Sequence, residues 1–129
     1  MADLRIEAIV DANVLIRLLR GDRDLQEFLE TLECGIDTTV YVEMIQGAKD
    51  KSEVARIEKA LKTFPLIHFS ESVSERTIVL IRTYSKSHNL LLGDAIIAAA
   101  CIENNLKLVT FNVKDFRFIK DLQVEVPNL

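Results

Sequence analysis

Histidine, cysteine and positive charge are all scarce in this chain, which has two histidines, two cysteines and 16 Lys+Arg against 20 Asp+Glu in 129 residues. The cysteines, Cys34 and Cys101, lie in apolar settings with neither CxxC nor Cys/His spacing. That leaves no zinc motif and no disulfide framework, and both read as reduced core thiols. His68 and His88 fit no metal-ligand or catalytic-triad pattern and read as structural or surface residues. The net charge of −4 excludes a protein that coats nucleic acid non-specifically, because such binding needs a basic face. An enzyme that touches a few phosphates is still compatible with it, since divalent cations would supply positive charge at the phosphate. Long apolar runs are missing as well. The longest, Ala95 to Ile102, falls far short of the ~20 residues that a membrane helix needs. The start, Met1-Ala2-Asp3-Leu4-Arg5, has no basic stretch leading into an apolar run. No secretory signal is expected, and a cytoplasmic location is.

What is present describes a globular chain, 49% hydrophobic and 28% charged, expected to form a single domain over residues 1–129. Strand and helix patterns alternate along it. Residues 7–10 read as a short buried strand and 13–19 as the helix after it. Asp22 opens a helix carrying Leu25, Phe28, Leu29 and Leu32 at helical spacing. A weak strand at 35–38 leads into a helix from about Val40 to near Gly47, and 51–63 is amphipathic. The extended segment 64–69 contains Pro65, which bars it from a regular central strand. Ser72-Val73-Ser74-Glu75 resembles a capping box for a helix to about Lys86. Residues 93–104 form a helix apolar nearly all round, which implies deep burial. Strands follow at 107–110 and 123–126. This alternation predicts an α/β fold with a mostly parallel sheet and helices on both faces.

Four stretches carry an acid against an apolar background: Ile9-Val10-Asp11-Ala12-Asn13, Val40-Tyr41-Val42-Glu43-Met44, Leu92-Gly93-Asp94-Ala95-Ile96-Ile97 and Thr110-Phe111-Asn112-Val113-Lys114-Asp115-Phe116. A carboxylate among aliphatic residues is costly unless something cationic or hydrogen-bonding meets it. Four of them, spread over the chain, suggest one shared partner, a divalent metal. In open α/β sheets ligands bind beyond the carboxyl ends of the strands, and Asp11 and the 110–115 segment directly follow strands. Glu43 lies on a helix entered from the second strand, and Asp94 sits in the first turn of its helix. Mg²⁺ and Mn²⁺ take hard oxygen ligands. Two such ions about 3.5–4 Å apart can activate a water and stabilise the leaving oxygen of a phosphoryl displacement.

Each acid also has a plainer reading. Asp11 can simply cap the helix that follows it, Asp94 can be a partner of its helix dipole, and Asp115 can be a solvated turn residue. Glu43 is harder to dismiss, because no basic residue lies at helical pairing distance before Gly47. Arg17 and Arg20, three apart on the helix after Asp11, can touch substrate phosphates or merely be solvated.

Order and spacing of these stretches, together with 38–47, resemble a PIN domain, in particular the VapC-type toxins of toxin–antitoxin pairs. The most distinctive part is Leu90-Leu91-Leu92-Gly93-Asp94-Ala95-Ile96-Ile97-Ala98-Ala99. The resemblance implies a metal-dependent endoribonuclease using Mg²⁺ or Mn²⁺, with Asp11, Glu43 and Asp94 as its acidic core and products ending in 5′-phosphate and 3′-hydroxyl. It also implies an RNA substrate, an antitoxin partner and a homodimer. Asn13 and Thr110 match polar positions that orient ligands or waters. Where many relatives carry an acid two places after the threonine, this chain has Asn112, and Asp115 is the candidate substitute for the fourth acid.

Two other classes meet obstacles. A receiver domain would want paired acids after the first strand and a lysine after the fifth, and neither is present. A PIN-like scaffold without catalysis, serving only to bind a partner, is at odds with three intact acids.

Overall fold

A computed structural model describes residues 5–129; the expectation drawn from the start, Met1 to Arg5, falls on residues of which all but Arg5 lie outside the described ones. Among these residues five strands, β1 (Ala8–Val10), β2 (Cys34–Asp37), β3 (Leu66–Ile67), β4 (Lys107–Val109) and β5 (Val124–Glu125), form one sheet in the order β3-β2-β1-β4-β5. Every pairing is parallel. The central strand, Ala8-Ile9-Val10, is wholly buried, as expected of a parallel sheet covered on both faces. Pro65 sits at the entry to the edge strand β3. Its carbonyl accepts from the Ile36 N–H at 3.0 Å, and its missing N–H interrupts no central ladder. Gly35 on β2 is required for space, since a Cβ there would lie 2.9 Å from Ile6 Cδ1 and 3.0 Å from the Pro65 carbonyl oxygen.

Among the described residues six α-helices complete the fold: α1 (Ala12–Leu19), α2 (Arg23–Glu30), α3 (Thr38–Gln46), α4 (Lys51–Leu61), α5 (Glu71–His88) and α6 (Leu92–Glu103). Asp11, Asp22, Asp37 and Asp50 cap the first four, each accepting from a backbone N–H of the first turn. The cap of α5 is Ser70, not the expected Ser72: Ser70 has extended backbone and its Oγ accepts from the Val73 N–H at 3.2 Å. Ser72 already lies inside the first turn. The helix also runs past Lys86 to His88 and stops at Asn89, whose left-handed φ of 55° terminates it. Helix α6 has no side-chain cap and buries Ala95, Ile97, Ala98, Ala99, Ala100 and Cys101, packing on α5, α3 and β4.

The chain moves from β1 to β2 to β3 in one direction, then crosses back so that β4 lies on the other side of β1. With right-handed crossovers, the reversal sends successive helices to opposite faces. It also opens a crevice beyond the carboxyl ends of β1 and β4, the position where open α/β sheets bind ligands. Asp11 and Thr110 are the first residues past those two ends.

Candidate active site

Asp11 continues the ladder of β1 by donating its N–H to the Val109 carbonyl at 2.9 Å. Its Oδ1 accepts from the Ala12 N–H at 2.8 Å, so the capping role read in the sequence is real. Its Oδ2 does something else: it accepts from Thr110 Oγ1 at 2.8 Å and, weakly, from Asn13 Nδ2 at 3.4 Å. Asn13 Nδ2 also reaches Thr110 Oγ1 at 3.2 Å, while Asn13 Oδ1 accepts from the Phe111 N–H at 3.3 Å. Thr110 Oγ1 in turn accepts from the Asn112 N–H at 3.0 Å. Asp11, Asn13, Thr110 and the Asn112 backbone therefore form one polar network clamped across the sheet reversal. Burial raises the Asp11 pKa, against the lowering effect of Thr110 and Ala12, and the Asp115 charge adds to the rise.

The remaining acids approach from three other elements. Glu43, on an exposed stretch of α3, places Oε2 3.4 Å from where a Cβ on Gly93 would stand, against the first turn of α6. A larger residue at Gly93 would meet that carboxylate. Asp94, one residue on, is half-buried and is pushed up to about 6 by burial, then by the Asp11 and Asp115 charges. Glu43 is raised by burial, then by Asp11, Asp94 and Asp37. Asp115 closes an exposed 3-10 turn, Val113–Asp115, and its N–H donates to the Asn112 carbonyl at 3.1 Å. Its carboxylate bears on Asp11 and Asp94 alike. The Asn112 side chain is exposed. The structure thus brings together Asp11, Glu43, Asp94 and Asp115, and ties Asn13 and Thr110 directly to the first of them.

One acid escaped the reading of the sequence. Asp37 ends β2, and carrying the register Ile9↔Gly35 two residues further sets it beside Asp11. It is 1% exposed. The signal was there: Gly35-Ile36-Asp37 ends a strand and precedes a helix just as Ile9-Val10-Asp11 does. Burial raises its pKa, opposed by contacts with Val40 and Thr39, with Asp11 adding to the rise. Every charged group that shifts Asp11, Asp37, Glu43 and Asp94 is itself a carboxylate.

Among the described residues no three His, Cys, Asp or Glu side chains close into a ready metal cage. The donor set still suits a hard cation. Mg²⁺ dehydrates reluctantly, keeps several waters and is commonly held by one or two carboxylates. Several carboxylates that shift one another upward, with no base among the groups that shift them, lack only positive charge.

Basic residues lie to the side. Arg17 is committed to Asp22 at 2.7 Å and stacks 5.0 Å over the Phe111 ring, which favours a structural role over a phosphate contact. Arg20 and Arg56 flank a groove of about 600 Å³ walled by Ile16, Leu19, Met44 and Ile57, with Glu43 also on its lining. A second cavity, about 630 Å³, is lined by Ile6, Leu29, Cys34 and Phe64. Ile6, Cys34 and Pro65 place it at the amino ends of the strands, away from the acids. His68 and His88 are exposed, His88 stacking on Phe118 at 4.3 Å.

The sequence profile of the PIN domain matches residues 8–121. A Mycobacterium tuberculosis protein named Ribonuclease VapC10 is 30% identical over 120 residues, covering 89% of this chain and 90% of that one. A Rickettsia bellii Ribonuclease VapC is 27% identical over 124 residues, 90% of this chain and 92% of the other. Among solved structures, a chain of a toxin–antitoxin complex from Klebsiella pneumoniae superposes with a TM-score of 0.79 at 35% identity, covering 95% of this chain and 98% of that one. A chain of DNA-bound VapBC from Salmonella typhimurium has a TM-score of 0.86 at 18% identity, with 95% and 99% covered, a likeness of fold. The chain belongs to the PIN domain family, among the proteins named VapC.

Proposed function

We propose that this chain is an endoribonuclease toxin of the VapC kind that hydrolyses RNA phosphodiester bonds at the Asp11 crevice with Mg²⁺ or Mn²⁺. The observation that carries the reading is a set of five acids from four segments meeting at the sheet reversal with only carboxylates acting on one another. Asp11, Glu43 and Asp94 would hold the cation, and Asp115 would complete the site from the exposed side. When bound, the ion supplies positive charge at the scissile phosphate and lowers the pKa of water. Thr110 and Asn13 fix the Asp11 carboxylate in one orientation by donating to Oδ2. Asn112, by donating its N–H to Thr110, keeps that hydroxyl's proton directed at Asp11.

The partners follow the same reading: an RNA substrate, a cognate antitoxin and a second copy of the chain. Surface apolar groups support docking by protein. Ile16 and Leu19 on α1 are exposed and line the groove, and Phe69, Leu91 and Leu92 are also exposed. Leu25, Leu29 and Leu61, by contrast, are buried in the core. No described helix is long and apolar enough to cross a membrane.

Incubating a mixed-sequence RNA with the protein tests the reading. Cleavage should occur with Mg²⁺ or Mn²⁺, stop with EDTA and return when the cation is restored. Cleavage that continues undiminished in EDTA would reject the metal-dependent mechanism.

A further inference from the structure

Asp37 differs from an ordinary helix cap in one respect. Its Oδ1 performs the capping, accepting from the Val40 N–H at 2.9 Å. Its Oδ2 is fully buried and has no hydrogen-bond partner, and the same is true of the neighbouring Thr39 Oγ1. Thr39 comes near enough to stabilise the carboxylate without closing a bond of ordinary geometry. A neutral serine or asparagine would cap the helix as well and would not confine a charge. An unpaired carboxylate oxygen buried beside another acid is expensive, and capping alone does not account for it.

The position supplies the account. Asp37 and Asp11 end adjacent parallel strands in register, strands that lie about 4.8 Å apart. Both cap the helix that follows, and the Asp11 charge reaches Asp37. Glu43 lies on the very helix that Asp37 caps. The Asp11 charge acts on Asp37, and Asp37 in turn acts on Glu43; Asp11 and Glu43 are two of the three acids proposed to hold the cation. A cation between Asp11 and Glu43 would therefore sit in the field of Asp37 and would offset the cost of its buried charge.

We propose that Asp37 is a fifth acid of the site, a positioning residue that strengthens divalent-cation binding through its buried charge. This rests on the functional reading above and adds a residue to it. Groups that hold metal ligands or waters in place typically cost roughly 10–100-fold in metal affinity when removed.

The test is Mn²⁺ titration calorimetry of the whole chain, with metal-free melting recorded for each variant. Asp37→Asn keeps the shape and the capping oxygen and removes the charge; Asp37→Ser keeps a different capping oxygen and serves if the amide does not fold. Asp94→Asn reports on the cation site itself. The expected result is that Asp37→Asn and Asp37→Ser melt no lower than wild type without metal, yet bind Mn²⁺ about 10-fold or more weakly. Wild-type Mn²⁺ affinity in either folded Asp37 variant, with binding lost in Asp94→Asn, would overturn the role of Asp37 and leave the metal site standing. No Mn²⁺ binding by wild type would overturn both.

Discussion

Thr110 Oγ1 donates a 2.8 Å hydrogen bond to Oδ2 of Asp11, a residue 99 positions earlier in the chain. The two residues follow β1 and β4, the strands between which the sheet reverses its order. Their bond ties the halves of the fold together at the point where the acids meet.

Thr110 is wholly buried, so its replacement is expected to be felt. Thr110→Val keeps the shape and removes the donor. Hydrogen bonds to charged groups contribute about 1.5–3 kcal/mol, and urea unfolding near neutral pH should show a loss of that order. Thr110→Ser should retain most of the stability, because it keeps the hydroxyl. Equal stability of the valine variant and wild type would show that the bond holds nothing together.

The acids set a distinctive pH dependence for the metal-free protein. Asp94 is raised from 3.8 to about 6, and Asp11, Asp37 and Glu43 are raised too. Between the unfolded and folded pKa values the native state binds more protons than the unfolded state, so stability falls as pH rises. The contribution from Asp94 should therefore decline from about pH 4 to beyond pH 6 and stay low above that. Asp94→Asn lacks this titration. In EDTA its melting temperature should match or exceed that of wild type at pH 7.5, and its advantage should shrink at pH 4.5. An advantage that grows on acidification would reverse the assigned sign.

Divalent cations should offset the same repulsion. A cation that binds only the native state stabilises it by RT ln(1 + [L]/Kd), about 2.7 kcal/mol at a hundredfold excess over Kd. Mn²⁺ or Mg²⁺ should raise the wild-type melting temperature, NaCl at matched ionic strength should do much less, and Asp94→Asn should lose most of the gain. Loss of the Asp94 charge also removes a helix-end interaction of about 0.3–1 kcal/mol. A variant melting well below metal-free wild type, yet fully stabilised by Mn²⁺, would mark Asp94 as a helix-end residue only.

The second copy of the chain is tested by light scattering at tens of micromolar. A mass near twice that of the monomer is expected, with the exposed Phe69, Leu91 and Leu92 as candidate contacts. Monomer throughout that range would count against the dimer.

Much of this architecture is legible before any coordinates. Asp11, Asp22 and the apolar α6 announce themselves because capping and helical periodicity are local effects. Local information ends where pairing decides. Strands β3 and β5 span two residues each, too short for an alternating pattern, and the order that sets β4 beside β1 is a tertiary outcome. The misplaced cap of α5 has a simpler cause, since Ser70 and Ser72 both offer hydroxyls and backbone dihedrals choose between them. Asp37 was hidden by ambiguity of type: an aspartate between a strand and a helix looks the same whether it caps, binds a cation or does both. Only its burial and its unpartnered oxygen separate the cases.

The most direct test of the central claim is single-turnover RNA cleavage in Mg²⁺ by Asp11→Asn, with Asp115→Asn alongside and circular dichroism to confirm both folds. Asparagine at residue 11 keeps the side-chain shape and an acceptor oxygen for Ala12, gives up the second acceptor that meets Thr110, and removes the charge that faces the cation. The account predicts that cleavage by Asp11→Asn falls by orders of magnitude with the fold intact, and that Asp115→Asn, whose side chain is exposed, loses less. Wild-type rates from a folded Asp11→Asn protein would contradict it.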